Sequence, residues 1–578
     1  MRTGLRRLAR KVLGDPGTPL PPQPELYPNW AEILGKDAAL WEERRRTAVE
    51  KNGPHVLIAT SVGGFPALNI VESALAVALT LRGAQPHVLL CDAALPACMR
   101  ATLDLFPDAR SYARHGPQRL LCDACFPPAH AMWQALDLPL HRYSELVTEA
   151  ERREARATAA KIPVSDIGAC RLDDLAVGEH AVAGALRFFA RGDLHREPQA
   201  EPILRRYLEA ALLSAYVTRR LLDAYPFAAA CFNHGIYVPQ GLIGEVARAE
   251  NVRVVNWNPA YRKHCFIFSH HDTYHHTLLS EPVSTWEDMP WTAEMEEDIL
   301  DYLKSRWQGT RDWIWFHEKP EEDVLAIARE LGIDLSRPCI GMLTNVMWDA
   351  QLHYRANAFA NMREWTVETI RYFAERRPDL QLVIRVHPAE IRGTVPSRQP
   401  IVEEIRRAFP TLPPNVFVVG PESNVSTYAM MVQCDSVIIY GTKTGVELTS
   451  LGIPVIVGGE AWIRNKGITL DASSADEYFE LLERLPLREK MSEPATQRAR
   501  KYAYHFFFRR MIPLPFIVPA EGSAAHFRLD LPGLEALLPG ANRGLDVICD
   551  GILQGSPFVY PCESLQATRA AVRTAAKG

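Results

Sequence analysis

The chain has 578 residues, 47% hydrophobic and 23% charged, with a formal net charge of −5. This length predicts two or three domains rather than one core, and the composition is that of a globular protein in water. The acidic balance argues against bulk nucleic-acid binding, no apolar run approaches the roughly 20 residues of a bilayer span, and no ordered signal peptide opens the chain, so a cytoplasmic location is expected.

Residues 1–30 read as a basic segment and a Pro-rich linker. In MRTGLRRLARKVL, Arg2, Arg6, Arg7, Arg10 and Lys11 alternate with Leu5, Leu8, Val12 and Leu13 at near-helical spacing. Such a helix suits peripheral contact with the inner face of an anionic membrane; a solvated terminus is the alternative. Residues 50–285 then read as a Rossmann-like domain. His55–Thr60 is a strand, Gly63-Gly64 a tight turn, Asn69–Leu81 a helix, and His87–Cys91 a second strand ending at Asp92. Ligands of such βαβ units lie beyond the strands' carboxyl ends, which nominates Gly63, Gly64, Glu72 and Asp92 for the ligand edge of this domain. The GxGxxG fingerprint is absent, so a dinucleotide is not indicated.

The eleven cysteines, an odd number, are mostly scattered through apolar stretches, as reduced structural thiols are. Cys122 and Cys125 have CxxC spacing, but the nearest second pair, Cys91 and Cys98, is separated by six residues. No metal site is therefore expected, with metal or redox use of the CxxC as the alternative. Glu145–Arg156 and Glu201–Tyr225 read as a helical elaboration of this domain. Ala228–Phe232 leads into Asn233-His234-Gly235, and a helix after Pro239 leads to the strand Val252–Asn256.

The acidic, Trp-rich stretch 286–322 reads as an inter-domain linker with local helices. A second alternating series follows at 323–500: Cys339–Leu343, a loop with Asn345 and Asp349, the helix Trp365–Arg376, Leu380–Val386, the helix Val402–Phe409, Val416–Val419, the helix Val425–Cys434 and Ser436–Tyr440. Residues 501–578 have weaker periodicity and read as helices and loops packing back. The fold class is α/β: two doubly wound Rossmann-like domains, the first with a helical elaboration.

The second domain carries the motifs with the most chemistry. LVIRVHP ends a buried strand on Arg385, His387 and a proline that keeps His387 extended. IIYGTKTGVELTSLGIPVIVGGEAWIRNKGITL runs from a β-branched strand through Gly441-Thr442-Lys443-Thr444-Gly445 into a helix, and its first N–H groups suit an anion. GxxxxGK[ST] is absent, so Mg²⁺-dependent nucleotide hydrolysis is not the natural reading. Loops after four strands fall on one sheet edge: Thr344–Asp349 with Asn345 and Asp349, His387–Glu390, Gly420–Ser423, and Gly441–Glu447 with Thr442. His387, Lys443 and, nearby, Arg385 and Lys466 can donate to phosphate oxygens, and Ser423 and Thr444 can hydrogen-bond them. Glu447 can accept from ribose hydroxyls or serve as a capping-box acid.

RVHPAE at Arg385–Glu390 with YGTKTGVELTSLGIPVIVGG at Tyr440–Gly459 resembles the bacterial capsule polysaccharide biosynthesis proteins, similar to GT-B glycosyltransferases that include capsular Kdo transferases and, more distantly, HP-motif sialyltransferases. The resemblance covers roughly residues 230 to 470, and NHGIYVPQG near His234 fits it. It implies two domains facing a cleft and metal-independent transfer, with no cofactor, from a CMP- or UDP-linked sugar on the second domain to a glycan or glycolipid acceptor on the first. His387 would stabilise the departing phosphate, and His234, Asp92 or Glu72 would deprotonate the acceptor, His234 being preferred. The serine pair that sialyltransferases place after their HP motif is replaced by Thr442-Lys443-Thr444, which leaves the nucleotide open. A nucleotide-sugar 2-epimerase-like isomerase and a non-catalytic assembly or export partner are the alternative functions.

Overall fold

The computed structural model describes residues 21–307, 311–313, 320–350, 356–520 and 526–563. The basic segment 1–13 lies outside them. The chain divides into two compact units: unit 1 is Met1–Phe189, Asp193–Thr277 and Met511–Tyr560, and unit 2 is Ala190–Gly192, Leu278–Arg510 and Pro561–Gly578.

Unit 1 is built on a seven-stranded sheet. Its strands are β1 (His55–Ser61), β2 (Gln85–Leu90), β3 (Leu140–Arg142), β4 (Phe227–Asn233), β5 (Arg253–Pro259) and β6 (Cys265–His270), with the later β13 (Ile512–Pro513) at one edge. The order is β13-β6-β5-β4-β1-β2-β3. β1 to β5 are mutually parallel, whereas β6 and β13 run antiparallel. The direction of winding reverses between β1 and β4, so the loops after these strands border a crevice at the carboxyl edge.

The helix after β1 begins earlier than its periodicity predicts, at Pro66, where a missing N–H costs nothing. It is buried on every side from Asn69 to Leu81, because the helices Ala38–Glu50 and Arg543–Gln554 and the strand Phe527–Leu529 all pack against it in addition to the sheet. Arg82 fastens this packing, donating to Leu537 O at 2.8 Å and pairing with Asp546 at 2.6 Å. Two corrections to the expected C-terminal helices and loops are therefore β13 and the antiparallel pair β14 (Ile517–Pro519) and β15 (Phe527–Leu529). Strands of two or three residues are too short to show a period of two.

Unit 2 contains β7 (Cys339–Leu343), β8 (Gln381–Arg385), β9 (Val416–Val419), β10 (Ser436–Ile439), β11 (Val455–Val457) and β12 (Leu470–Asp471). All are parallel, in the order β12-β11-β10-β7-β8-β9. β7, β8, β10 and β11 are buried throughout, as expected of a sheet covered on both faces. Its winding reverses between β7 and β10. Within the stretch expected as a linker with local helices, Ala293–Trp307 is a helix, and it belongs to unit 2. Met295, Ile299, Tyr302, Leu303 and Arg306 recur at helical spacing and are all buried, a stripe masked in the sequence by the acidic residues between them.

Candidate functional site

At the carboxyl edge of unit 2, the loop after β7 lies between those after β8 and β10. Thr344 closes β7, and its Oγ1 accepts from the His387 N–H at 3.3 Å, tying β7's end to the HP motif. His387 Nδ1 accepts from Ala389 N at 3.0 Å. An accepting Nδ1 places the proton of the neutral ring on Nε2, which makes that atom the donor. The proline after His387 starts the short helix Ala389–Arg392 and thereby brings the Ala389 N–H back onto the ring. Thr344 carried no motif; only its position at a strand end marked it.

The neighbouring loops are held by buried polar contacts. Arg385, expected to face a phosphate, is only 2% exposed and donates to Gly420 O, to Ser423 O at 3.1 Å and to Thr427 Oγ1 at 3.3 Å. Its observed work is to set the turn after β9, and burial brings its pKa down to about 10. Ser423 Oγ accepts from Val425 N at 3.2 Å in that turn. Asn345 Oδ1 accepts from Val346 N, and Asp349 is exposed. After β10, Thr442 Oγ1 accepts from Thr444 N at 3.4 Å as the helix Thr444–Ser450 begins. Gly459 of the VGG segment fits here because it lacks a side chain: a Cβ would stand 2.5 Å from Tyr440 O.

Two expected donor contacts are corrected. The Glu447 carboxylate is 2% exposed and does not present itself to a ribose; it lies 3.2 Å from Arg306 Nε and 2.8 Å from Lys443 Nζ. Arg306 in turn pairs with Asp312, which accepts from Tyr302 OH at 2.8 Å. Burial alone would raise the Glu447 pKa, but Arg306 and Lys443 outweigh it and hold the carboxyl below its ordinary value. Lys443, 18% exposed, has its own pKa lowered by burial and then by Arg306. Its ammonium has three donors, one of which goes to Glu447 Oε1. Lys466 is buried, donating to Glu281 O at 2.6 Å and Leu279 O at 3.4 Å, so it braces the fold instead of lining the edge. Sequence reasoning missed Arg306 entirely; its spacing on the apolar stripe of Ala293–Trp307 was the available signal.

In unit 1, Gly63 and Gly64 lie just past β1. Gly63 O accepts from Tyr27 OH at 2.8 Å and Asn69 Nδ2 at 2.9 Å, and Gly64 N donates to Cys125 Sγ at 2.9 Å. A Cβ on Gly63 would meet Cys125 O at 2.6 Å, so helix Gln118–Gln134 packs directly on this turn. Burial pushes the Cys125 thiol up to about 12, keeping it neutral. Asp92 is taken by the Ser144 N–H at 3.0 Å and the Ser144 hydroxyl. Glu72 is 0% exposed and accepts from Trp257 Nε1 at 2.9 Å; burial raises its pKa to about 7. Neither fits an acceptor base, which corrects those two candidates. His234 sits in the loop after β4 with φ +63°, its N–H on Trp257 O at 3.0 Å and its ring 4.9 Å from that of Tyr237.

Among the described residues no cluster of three or more His, Cys, Asp or Glu side chains has metal-site geometry, and no helix is long and apolar enough to cross a membrane. No curated protein matches the chain. Among solved structures it is similar to the KpsC beta Kdo 2,4 transferase of Thermosulfurimonas dismutans, with 13% identity over 48% of this chain and 79% of that one and a TM-score of 0.34. The KpsC beta Kdo 2,7 transferase of the same organism shows 12% identity over 56% and 88%, with a TM-score of 0.31. A putative UDP-N-acetylglucosamine 2-epimerase from Listeria monocytogenes shows 10% identity over 78% and 90%, with a TM-score of 0.27. The sequence pattern described as capsule polysaccharide biosynthesis protein matches residues 333–496. That stretch holds RVHPAE, the Thr-Lys-Thr turn and the IPVIVGG strand of unit 2.

Proposed function

We propose that this protein is a glycosyltransferase of surface polysaccharide assembly, moving a sugar from a CMP- or UDP-linked donor to a hydroxyl of a glycan or glycolipid without a metal ion. The observation that carries the reading is His387: within the family-matched stretch, its ring is oriented by the Ala389 N–H so that Nε2 is the donor, on the edge shared with the Thr442-Lys443-Thr444 turn. In the proposed step the acceptor oxygen forms a bond to the anomeric carbon while the bond from that carbon to the phosphate oxygen breaks. The nucleotide leaves with the electron pair, steadied by His387 Nε2–H and Lys443, and the acceptor's proton passes to a general base, for which His234 is the candidate.

The test is nucleotide release from a panel of CMP- and UDP-sugars, with and without glycan acceptors and in excess chelator. Acceptor-dependent release that persists in chelator supports the proposal, and His387→Ala should lower it by more than about tenfold with the thermal midpoint unchanged. Interconversion of the donor sugar without acceptor would instead indicate epimerisation. Glycan binding without turnover would leave an assembly partner.

A further inference from the structure

The proposed transfer makes no use of Cys122 and Cys125, the CxxC pair on the helix Gln118–Gln134 of unit 1. Spacing alone supplies no matching second pair, yet the fold brings Cys91 and Cys98 to them. Cys91 follows β2 directly, its N–H on Ser61 O at 2.8 Å at the end of β1. A Cβ on Gly63 would stand 3.4 Å from Leu90 Cδ1 and 2.6 Å from Cys125 O, so the end of β2 and the helix at Cys125 pack on one residue. A Cβ on Gly64 would meet Cys125 Sγ at 3.2 Å and Arg100 Nε at 3.5 Å, which sets the segment just after Cys98 against the same turn. Cys122 lies one helical turn before Cys125, on the same face. All four are partly buried free thiols, and every pair among them is close enough for one to act on the other's charge.

Backbone N–H groups are turned onto three of these sulfurs: Ala94 and Leu95 onto Cys91, Arg100 and Ala101 onto Cys98, and Gly64 onto Cys125, the last at 2.9 Å. A neutral thiol is a weak acceptor that does not call for two amide donors, whereas N–H groups aimed at sulfur stabilise a metal-bound thiolate. A cation stands beside them as well. The Arg100 guanidinium lies 5.1 Å over the Phe65 ring, and of the charges acting on it those of Cys125 and Cys98 come first. Left empty, the cluster holds its protons, because burial and mutual repulsion both oppose four thiolates. No three of these side chains converge on a single ion. A four-cysteine iron–sulfur cluster instead sets irons and sulfides between the thiolates, and so spans a wider ring of sulfurs.

We propose that Cys91, Cys98, Cys122 and Cys125 ligate an iron–sulfur cluster in unit 1. The four thiols release their protons as the preformed cluster binds, and Arg100 offsets part of the negative charge of the thiolate-bound centre. Its work is structural: it fastens the loop after β2 and the helix Gln118–Gln134 around the Gly63-Gly64 turn. The proposed transfer does not pass through it, so the two readings stand or fall separately. The test is iron, zinc and acid-labile sulfide analysis of the full chain isolated without oxygen, repeated after incubation with ferrous iron and sulfide, with visible absorption before and after dithionite. Iron and sulfide in equal amounts, with a visible band bleached by dithionite, support the cluster; both should fall at least tenfold in Cys122→Ser with Cys125→Ser and stay unchanged in Cys170→Ser, a thiol outside the group. Zinc or iron without sulfide, neither metal even after incubation, or full iron and sulfide in the double variant overturns it. Should the double variant not fold, the metal and sulfide content of the unaltered chain decides by itself.

Discussion

Replacing Glu447 distinguishes a buried counter-ion from a sugar-binding carboxylate. Its Oε1 lies 3.2 Å from Arg306 Nε and 2.8 Å from Lys443 Nζ in a side chain only 2% exposed. At an effective dielectric of about 20, each such contact is worth roughly 5 kcal/mol of attraction, most of it offset by the desolvation of the groups involved. Glu447→Ala removes the attraction and keeps the desolvated cations, so unit 2 should lose about 3–5 kcal/mol. The assay is urea unfolding at pH 7, followed by tryptophan fluorescence with Trp307 and Trp365 as unit 2 reporters. A loss below about 1 kcal/mol in Glu447→Ala, with donor affinity falling instead, would refute the counter-ion assignment and restore the ribose contact.

Two further predictions use pH. Glu72 has a folded pKa raised to about 7 from an ordinary value of 4.5, by burial. Its stabilising contribution is complete below 4.5 and is lost as pH rises through 7, so Glu72→Gln should be near neutral at pH 4.5 and stabilising by about 2–3 kcal/mol at pH 8; an equal difference at both pH values would sink this. At the other end of the sheet, His87 is bridged to His55 at 2.8 Å and His141 at 2.9 Å, and burial, then His141 and His55, bring its pKa down to about 3. Here the unfolded chain binds the proton first, so stability is full above 6.5 and falls as pH drops towards 3. With a discount for water reaching the strand ends, about 2 kcal/mol should be gone by pH 4.5. His87→Gln should flatten that acid limb in unfolding curves taken from pH 7 to 4.5, and an unchanged slope would be contrary evidence.

Much of the sheet framework was legible because a strand buried on both faces must be written in Val, Ile, Leu and other apolar residues. Cys339–Leu343 and Val416–Val419 appear at the expected bounds, and His387 follows its strand as expected. The bounds and buried stripe of the helix Ala293–Trp307 and the short strands β13 to β15 were not legible: acidic residues interrupted one pattern, and the others are too brief to repeat. Charged residues were the hardest to read. Arg385, Lys443, Glu447 and Lys466 have the chemistry of a phosphate or ribose site, yet three of the four are spent largely on fixing loops or on one another.

The reason lies in what each level specifies. Side-chain type and spacing determine which segments become strands or helices, and the strand ends determine which loops fall on the ligand edge; these follow from local backbone geometry. Whether a cation at such an edge meets a ligand or a buried carboxylate depends on which distant element packs there. Only the tertiary structure brought Arg306 to Glu447 and a backbone carbonyl to Lys466.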